Sequence, residues 1–330
     1  MNLVRRQVVG LLALAGLALL ACALRILIYR DPTTGVEFGW PEAMVARFRW
    51  TALCNGATVG ASLAIAGVLL QALLRNPLAE PFILGISSGA GLGVMAALYA
   101  AHLAGASSAI GEARAVPAIV GAMLTLALVY ALGRRRGWLD PVSLVLVGVI
   151  VSAVCGAGIM FFQHAVPTGL HQEFTLWLMG YIPEVGSRGG MAMSIALSIA
   201  AIAIGMKLGG AMDAATLGDD EARSVGLAVG ALRLLMFAMA GILAAATVAV
   251  AGPIGFVGLI GPHAARLVLG PRHTLLILGA ALAGIALVVG ADVARQAITI
   301  GAGRMPVGIF TALIGGPAFI WLLLSGRGQS

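Results

Sequence analysis

The chain has 330 residues, of which 60% are apolar and only 10% are charged, and its formal net charge is +7. Soluble globular domains carry about 25% charged residues, and a soluble domain of this size needs far more polar side chains to cover its surface. The composition therefore excludes an ordinary soluble protein and favours a protein that spans a membrane.

Apolar runs about 20 residues long recur along the whole chain, and such a run is long enough to cross a hydrocarbon core of about 30 Å as a helix. We predict an all-α polytopic membrane protein with about ten transmembrane helices and both termini in the cytoplasm. No soluble domain fits between the runs, so residues 1–330 are predicted to form one transmembrane domain. The predicted spans are 7–28, 51–74, 82–101, 116–133, 142–163, 190–208, 231–250, 254–270, 273–292 and 306–325.

The basic residues indicate the direction in which the chain crosses the membrane. With a cytoplasmic N-terminus, 12 of the 20 basic residues lie on inner segments, including the pair Arg5–Arg6 and the run RRR at 134–136. This agrees with the positive-inside rule. The charges lie at span ends without interleaved aromatic residues, so membrane topology explains them better than nucleic-acid binding does.

The stretch RNPLAEPFILGISSGAG, 75–91, interrupts the apolar pattern between the second and third spans. We interpret it as a cytoplasmic turn, because proline suits the first turn of a helix but not its interior. Glycines then recur at every fourth position, which is typical of helices that pack closely in lipid. The turn residues are Arg75, Asn76, Pro77, Pro81 and Gly85.

Two kinds of functional residue are absent from the sequence, and their absence argues against two classes of transport protein. Ion-coupled transporters place ionisable residues near the bilayer centre, whereas every acidic residue here, Asp292 included, falls in a loop or at a predicted span end. Lys207 is the single lysine and lies in MKLGG, so the chain cannot hold a GK[ST] phosphate loop. If ATP drives this protein, another subunit binds the nucleotide.

Enzyme chemistry is poorly supported. The stretch GISSG at 85–89 matches G-x-S-x-G, but it opens an apolar helix and not the strand-to-helix turn that a nucleophile elbow requires. The three cysteines fall inside predicted spans, which favours neither a disulfide nor a metal site. We predict no catalytic residue and no bound metal.

The stretch GPIGFVGLIGPH, 252–263, mixes glycines and prolines into an apolar run. Inside lipid, irregular backbone is tolerated only where protein or a cavity satisfies it. We therefore predict a bent and buried helix start, with His263 and Arg266 near the cytoplasmic side in structural roles.

Four stretches, in this order along the chain, resemble the FecCD family of ABC importer permeases, the membrane subunits that import iron–siderophores, haem and cobalamin. They are 67–93 (GVLLQALLRNPLAEPFILGISSGAGLG), 217–227 (LGDDEARSVGL), 248–270 (VAVAGPIGFVGLIGPHAARLVLG) and 305–324 (MPVGIFTALIGGPAFIWLLL). The resemblance extends from about residue 45 to residue 325.

The resemblance implies how the complex is organised. It implies a homodimer of ten-helix permeases in the bacterial inner membrane, with two ATP-binding cassette subunits on the cytoplasmic face and one periplasmic substrate-binding protein on the outer face. The permease itself would bind no cofactor, because ATP and Mg²⁺ are held by the partner ATPase.

The resemblance also assigns a role to the acidic cytoplasmic segment, which lies within about 209–230. It is similar to the family's LGxxxAxxLG segment, whose short helices contact the ATPase. A glycine at each end permits a tight turn, consecutive acidic residues favour a helix N-terminus, and the alanine leaves room for a partner surface. The coupling residues predicted are Leu217, Gly218, Asp219, Asp220, Glu221, Ala222 and Gly226.

On the outer face, the family's RLPR sequence aligns with RWTA, so its first arginine is Arg49 and its second position is Ala52, with Arg47 as the candidate substitute. The family's ADxxAR segment matches ADVAR and gives Arg295. Arg304 stands where many members have an acidic residue. The resemblance implies that these four arginines dock the binding protein by pairing with its glutamates.

The substrate is the least determined part of the prediction. His102, His164 and His171 fall in outer loops or near the outer end of a span, and haem iron accepts a histidine ligand. With a basic rim they favour an anionic iron chelate, haem first, with His164 and His171 as possible transient contacts. Cobalamin or a ferric siderophore is the alternative within the family. Outside it, the alternatives are an ion-coupled secondary transporter and a membrane scaffold or receptor that transports nothing.

Overall fold

The structure, a computed structural model, describes residues 3–31, 35–105, 114–135, 138–298 and 305–326. These residues form twelve α-helices, one 3₁₀ turn at Pro81–Leu84, and two short antiparallel hairpins. The helices are α1 (Leu3–Leu27), α2 (Ala43–Leu74), α3 (Ile86–Leu103), α4 (Ala115–Leu132), α5 (Pro141–Ala165), α6 (Thr168–Leu178), α7 (Arg188–Leu217), α8 (Asp219–Ser224), α9 (Val229–Ala251), α10 (Val257–Leu269), α11 (His273–Ala297) and α12 (Val307–Gly326). The strands are β1 (Ile28–Asp31), β2 (Gly35–Phe38), β3 (Arg134–Arg135) and β4 (Trp138–Leu139).

Ten of the described helices are apolar, which confirms the all-α polytopic class. Eight of them, α1, α2, α3, α4, α5, α7, α9 and α11, are long and apolar enough to cross a membrane. Two shorter ones, α10 and α12, correspond to the eighth and tenth predicted spans. The helices α6 and α8 lie in the connections on opposite sides of α7.

Helix α2 is the centre of the packing. Its most apolar window is 83% buried, against 22% for α5 and 17% for α7. It packs against α11, α9, α10 and α7, while much of the surface of α1, α5 and α7 remains exposed. A helix that is apolar on all sides and buried belongs to the interior of a bundle, and apolar helices exposed at its periphery suit contact with lipid.

Glycine contacts bring the helices around α2 to backbone distance. A Cβ added to Gly60 would lie 2.3 Å from the carbonyl oxygen of Gly284 on α11. A Cβ added to Gly67 would lie 1.9 Å from the carbonyl oxygen of Gly258 on α10. Small residues permit such approaches where lipid supplies little hydrophobic drive for helix association.

The glycine repeat that begins at Gly85 also brings two helices close together, as predicted. A Cβ on Gly89 would meet the Gly121 carbonyl oxygen of α4 at 2.7 Å, and one on Gly93 would meet the Pro117 carbonyl oxygen at 2.2 Å. Gly85 has a φ of +77° and joins the 3₁₀ turn to α3.

We expect Gly67→Val to abolish folding, because the new side chain collides with the rigid backbone of α10 and not with a mobile side chain. Gly16→Val is the matched control, since a Cβ at Gly16 on α1 has no atom within 4 Å. The yield of monodisperse detergent-extracted protein and its melting temperature measure the difference. Equal yields from the two variants would contradict the close contact.

Candidate functional site

The acidic cytoplasmic segment folds into the short helix α8 between α7 and α9. Gly218 precedes it with a φ of +150°, and Gly226 follows it with a φ of +81°. Both values lie where side chains are disfavoured, so the predicted glycine turns are confirmed. The acidic residues occupy the first turn of α8, the end of a helix that favours negative charge.

Asp219 ties α8 to the rest of the cytoplasmic face. Its Oδ1 accepts a hydrogen bond from Arg233 Nη2 on α9 at 2.9 Å and another from Arg75 Nη2. Arg75 also donates from Nε and Nη2 to the Ala215 carbonyl oxygen on α7, at 3.0 and 2.7 Å. The turn at 75–85 therefore fixes both the end of α7 and the start of α8.

The outward surface of this segment combines negative charge with apolar side chains. Asp220 and Glu221 are exposed, and Leu217 and Val225 on either side of α8 are 76% and 73% exposed. Apolar side chains this exposed, bordered by charge, are typical of a contact with another protein.

Ala222 faces the other way, which corrects the prediction that it leaves room for a partner. It is 1% exposed and lies on the inner side of α8. Its N–H donates to the Gly218 carbonyl oxygen, and its own carbonyl oxygen accepts from the Leu227 N–H. Its small side chain lets α8 lie close to its own chain.

The turn at 75–85 has the form that its prolines predicted. Helix α2 ends at Leu74, and Arg75 caps it in the left-handed conformation, with a φ of 48°. Asn76 holds the turn through its N–H, which donates to the Gln71 carbonyl oxygen at 3.1 Å, and its Oδ1, which accepts from the Leu78 N–H at 3.0 Å. Pro77 is exposed within the turn, and Pro81 starts the 3₁₀ turn.

Glu80 links the same turn to α10. Its Oε1 accepts a hydrogen bond from the N–H of Phe256, the residue before α10. Burial raises the pKa of the Glu80 carboxyl, and the hydrogen bond from Phe256 partly offsets this. Phe256 has a φ of +69°, and a Cβ on Gly315 of α12 would lie 2.4 Å from the Phe256 Cβ. The predicted bent, buried start of α10 is confirmed.

Gln71 strengthens this link from the last turn of α2. Its Nε2 donates to the carbonyl oxygens of Ala79 and Gly258 at 3.4 and 3.3 Å, and its Oε1 accepts from Arg266 Nη2 at 3.0 Å. Arg266 therefore has the structural role that its position predicted. Sequence reasoning missed Glu80; its one signal was a carboxylate placed between two apolar spans.

A buried ionic network occupies the outer end of the bundle. Asp292 is 1% exposed and accepts from Arg25 Nε on α1 and from Arg295 Nε at 2.7 Å. Glu184, in the connection between α6 and α7, lies 3.5 Å from Arg25 Nη2 and 3.6 Å from Arg295 Nη2. Two arginines thus share two carboxylates.

This network corrects the sequence-based placement of Asp292. The predicted span ended at that residue, but α11 continues to Ala297, so Asp292 lies within a helix. Its charge is neutralised by arginines, as buried charges generally are. The sequence reasoning missed Arg25 because it lay inside an apolar run.

Arg49 and Arg295, two of the predicted docking arginines, are both buried in contacts within the chain. Arg49 is 6% exposed, donates to the Ile26 carbonyl oxygen at 2.6 Å, and has its guanidinium 4.2 Å from the ring centroid of Tyr29. Arg295 is 8% exposed. Arg47 is exposed on the first turns of α2, and Arg304 lies outside the described residues. Docking at these positions stays a prediction.

An outer cavity of about 560 Å³ lies beside the network. The pair Arg114–Glu173 borders it together with Glu184 and Arg295, and Trp177 contributes an aromatic wall. It joins the connection between α5 and α7 to the end of α11, on the predicted outer face.

The predicted histidines lie on helices and not in loops. His164 is in the last turn of α5, and His171 is on α6, and both side chains are exposed. Across the described part of the chain, no group of three His, Cys, Asp or Glu side chains could hold a metal ion. Contact of either histidine with a substrate stays a prediction.

Known proteins share this architecture. The model of the FecCD transport family matches residues 8–325. The chain is 39% identical over 293 residues to the cobalamin import system permease protein BtuC of Halobacterium salinarum, covering 87% of this chain and 76% of that protein. It is 34% identical to the hemin transport system permease protein HmuU of Yersinia pestis, covering 82% of this chain and 80% of that protein.

A solved structure has the same fold along almost the whole chain. An inward-facing metal-chelate type ABC transporter superposes with a TM-score of 0.81 at 27% identity, covering 96% of this chain and 98% of that one. The chain therefore belongs to the FecCD transport family and is a multi-pass permease of an ABC importer in a bacterial inner membrane.

Proposed function

We propose that this permease moves an iron chelate, with haem as the first candidate, from a periplasmic binding protein into the cytoplasm by alternating access. It acts as a homodimer around a central pathway, with two ATP-binding cassette subunits that bind ATP and Mg²⁺ on the cytoplasmic face. ATP binding moves α8, and the helices around the pathway then rock between outward-open and inward-open forms.

The construction of the coupling segment is the observation that carries this proposal. Helix α8 exposes Asp220 and Glu221, and Leu217 and Val225 are exposed on either side of it. Asp219 anchors the helix to the rest of the chain. A surface helix that is anchored to the bundle can transmit a displacement by a partner subunit to the transmembrane helices, whereas a flexible acidic loop cannot. ATP-driven transport by a chain without a phosphate loop requires such a contact.

Two observations support haem as the first candidate. His164 and His171 are exposed on the predicted outer side, where an imidazole can meet a haem iron in passing. One relative is named as a hemin transport permease. Cobalamin is the second candidate, because a relative with higher identity is named as a cobalamin import permease.

Reconstitution tests the proposal. The chain is placed in proteoliposomes with its ATPase and binding protein, and uptake of haem, cyanocobalamin and a ferric siderophore is measured with and without ATP. We expect uptake of haem to require ATP and the binding protein. Uptake driven by an ion gradient without ATP would contradict the importer mechanism. ATP-driven uptake of cobalamin, without uptake of haem, would contradict haem as the substrate.

The double variant His164→Ala with His171→Ala tests the haem contact. We expect haem uptake to fall about fivefold, corresponding to loss of about 1 kcal/mol of transient ligation, while the ATPase rate is unchanged. His102→Ala, a histidine in the last turn of α3, is the control. Haem uptake equal to wild type in the double variant would remove the histidines from the pathway.

A further inference from the structure

A second cavity of about 560 Å³ opens on the cytoplasmic face, where the ends of α2, α7 and α10 meet the start of α11. Its polar lining consists mainly of hydrogen-bond donors. They include Gln71, Arg75, Asn76, Thr216, Arg266 and Arg272. The cavity lies on the membrane side opposite to the proposed arrival of substrate, so substrate binding does not account for its charge.

Positive charge dominates this cavity. Three of its lining side chains are arginines: Arg75, Arg266 and Arg272. Asp213 is the single acidic side chain among the lining residues, and it is engaged at the start of α11. Its Oδ1 lies 3.0 Å from the backbone nitrogen of His273 and 2.6 Å from His273 Nδ1.

Part of the donor capacity remains unused. Arg266 spends Nη2 on Gln71, and Arg75 spends Nε and Nη2 on the coupling segment. Arg272 is exposed, and within the described residues its side chain has neither a hydrogen bond nor an ion pair. A cavity with one free guanidinium group, two others that keep unused N–H groups, and an occupied carboxylate is suited to an anion with several acceptor oxygens. A phosphate has that chemistry.

Exposed apolar side chains near the cavity indicate that the phosphate belongs to a lipid. Leu267 follows Arg266 and is 57% exposed. Helix α1 packs alongside, with Gln7 Nε2 donating to the Leu269 carbonyl oxygen at 3.3 Å, and it exposes apolar side chains such as Leu12. Apolar side chains are thus exposed on α10 and α1 near the end of α10 that carries Arg266. Basic pockets between helix ends on the cytoplasmic side are suited to anionic lipid headgroups.

We propose that this cavity is a binding site for the phosphate of an anionic phospholipid of the inner leaflet, with the acyl chains lying along Leu267 and the exposed face of α1. Because Arg75 lines the cavity and also holds Asp219, an occupied site adds negative charge beside the anchor of the coupling segment. The proposal depends on the cavity and its charges, and not on which substrate is carried.

Native mass spectrometry of the delipidated full chain tests this proposal. The chain is titrated with phosphatidylglycerol or with phosphatidylcholine of identical acyl chains. We expect preferential retention of phosphatidylglycerol, and a decrease of about fivefold in that retention in Arg272→Gln, because one basic residue near an anionic headgroup contributes about 1 kcal/mol. Arg272→Lys keeps the charge and is expected to retain most of the binding.

Arg6→Gln is the matched control, because Arg6 is an exposed arginine on the same face outside the cavity. Equal losses in Arg6→Gln and Arg272→Gln would reduce the effect to general surface charge and overturn the site. Displacement of the lipid by millimolar inorganic phosphate would overturn the lipid as the source. Unchanged lipid retention in Arg272→Gln, with reduced co-purification of the ATPase, would assign the cavity to a carboxylate of that partner and overturn the proposal.

Discussion

Asp219→Ala is expected to lower ATP-driven transport about tenfold while the chain still folds and still binds its ATPase. The variant removes the acceptor shared by Arg75 and Arg233, and hydrogen bonds to charged groups contribute about 1.5–3 kcal/mol each. Arg75 and Asp219 are 37% and 27% exposed, so solvent screening reduces this contribution. A net loss of about 1.4 kcal/mol is a tenfold decrease in the population of correctly placed α8. The measurement is substrate transported per ATP hydrolysed in proteoliposomes.

Glu221→Arg provides the contrasting variant on the same helix. Glu221 is exposed, so reversing its charge should weaken association with the ATPase, detected by co-purification, and leave α8 in place. Asp219→Asn, which keeps an acceptor oxygen, should recover part of the transport lost in Asp219→Ala. Wild-type transport per ATP in Asp219→Ala would show that the anchor has no part in coupling.

Asp292→Ala is expected to destabilise the chain by about 3–5 kcal/mol, the typical cost of breaking a buried ion pair by removing one partner. It leaves Arg25 without its closest carboxylate, and Arg295 keeps only Glu184 at 3.6 Å. The melting temperature of the purified chain in detergent measures the effect.

Replacing both Arg25 and Asp292 distinguishes two causes of the lost stability: loss of the attraction between the pair, and burial of an unpaired arginine. The double variant Arg25→Leu with Asp292→Leu should recover much of the stability, because apolar replacement of a buried pair is often neutral or stabilising. Glu184→Gln should cost less than Asp292→Ala, since Glu184 is 26% exposed and more distant from both arginines. A double variant as unstable as Asp292→Ala would contradict the assignment of the cost to an unpaired arginine.

Much of the architecture could be predicted because lipid imposes strong rules on sequence. Apolar length predicted the ten apolar helices, and glycine spacing predicted that α3 packs closely, although it did not indicate α4 as the partner. Proline and glycine positions marked the turn at 75–85 and the limits of α8. These are local signals, and each depends on residues that are close in sequence.

The errors involve pairs that are distant in sequence. Arg25 and Asp292 are 267 positions apart, and Glu80 and Phe256 are 176 apart, so no local pattern connects them. The left-handed Phe256 lies against Gly315 of α12 and donates its N–H to Glu80. Both contacts are distant in sequence, so no local pattern indicates this conformation. Ala222 was assigned to the wrong face because a helix of six residues is too short for apolar periodicity to indicate which side is buried.

The two bonds of the 75–85 turn have a mechanical consequence. Arg75 holds the cytoplasmic helix α8 through its ion pair with Asp219, and Glu80 holds the start of α10 by accepting a hydrogen bond from the Phe256 N–H. Four residues lie between Arg75 and Glu80, so the Cα atoms of these two residues are at most about 18 Å apart when the chain is fully extended. Because this segment is short, a displacement of α8 either breaks one of these two contacts or moves α10. Movement of α10 would also displace the surface of α12 that Phe256 contacts.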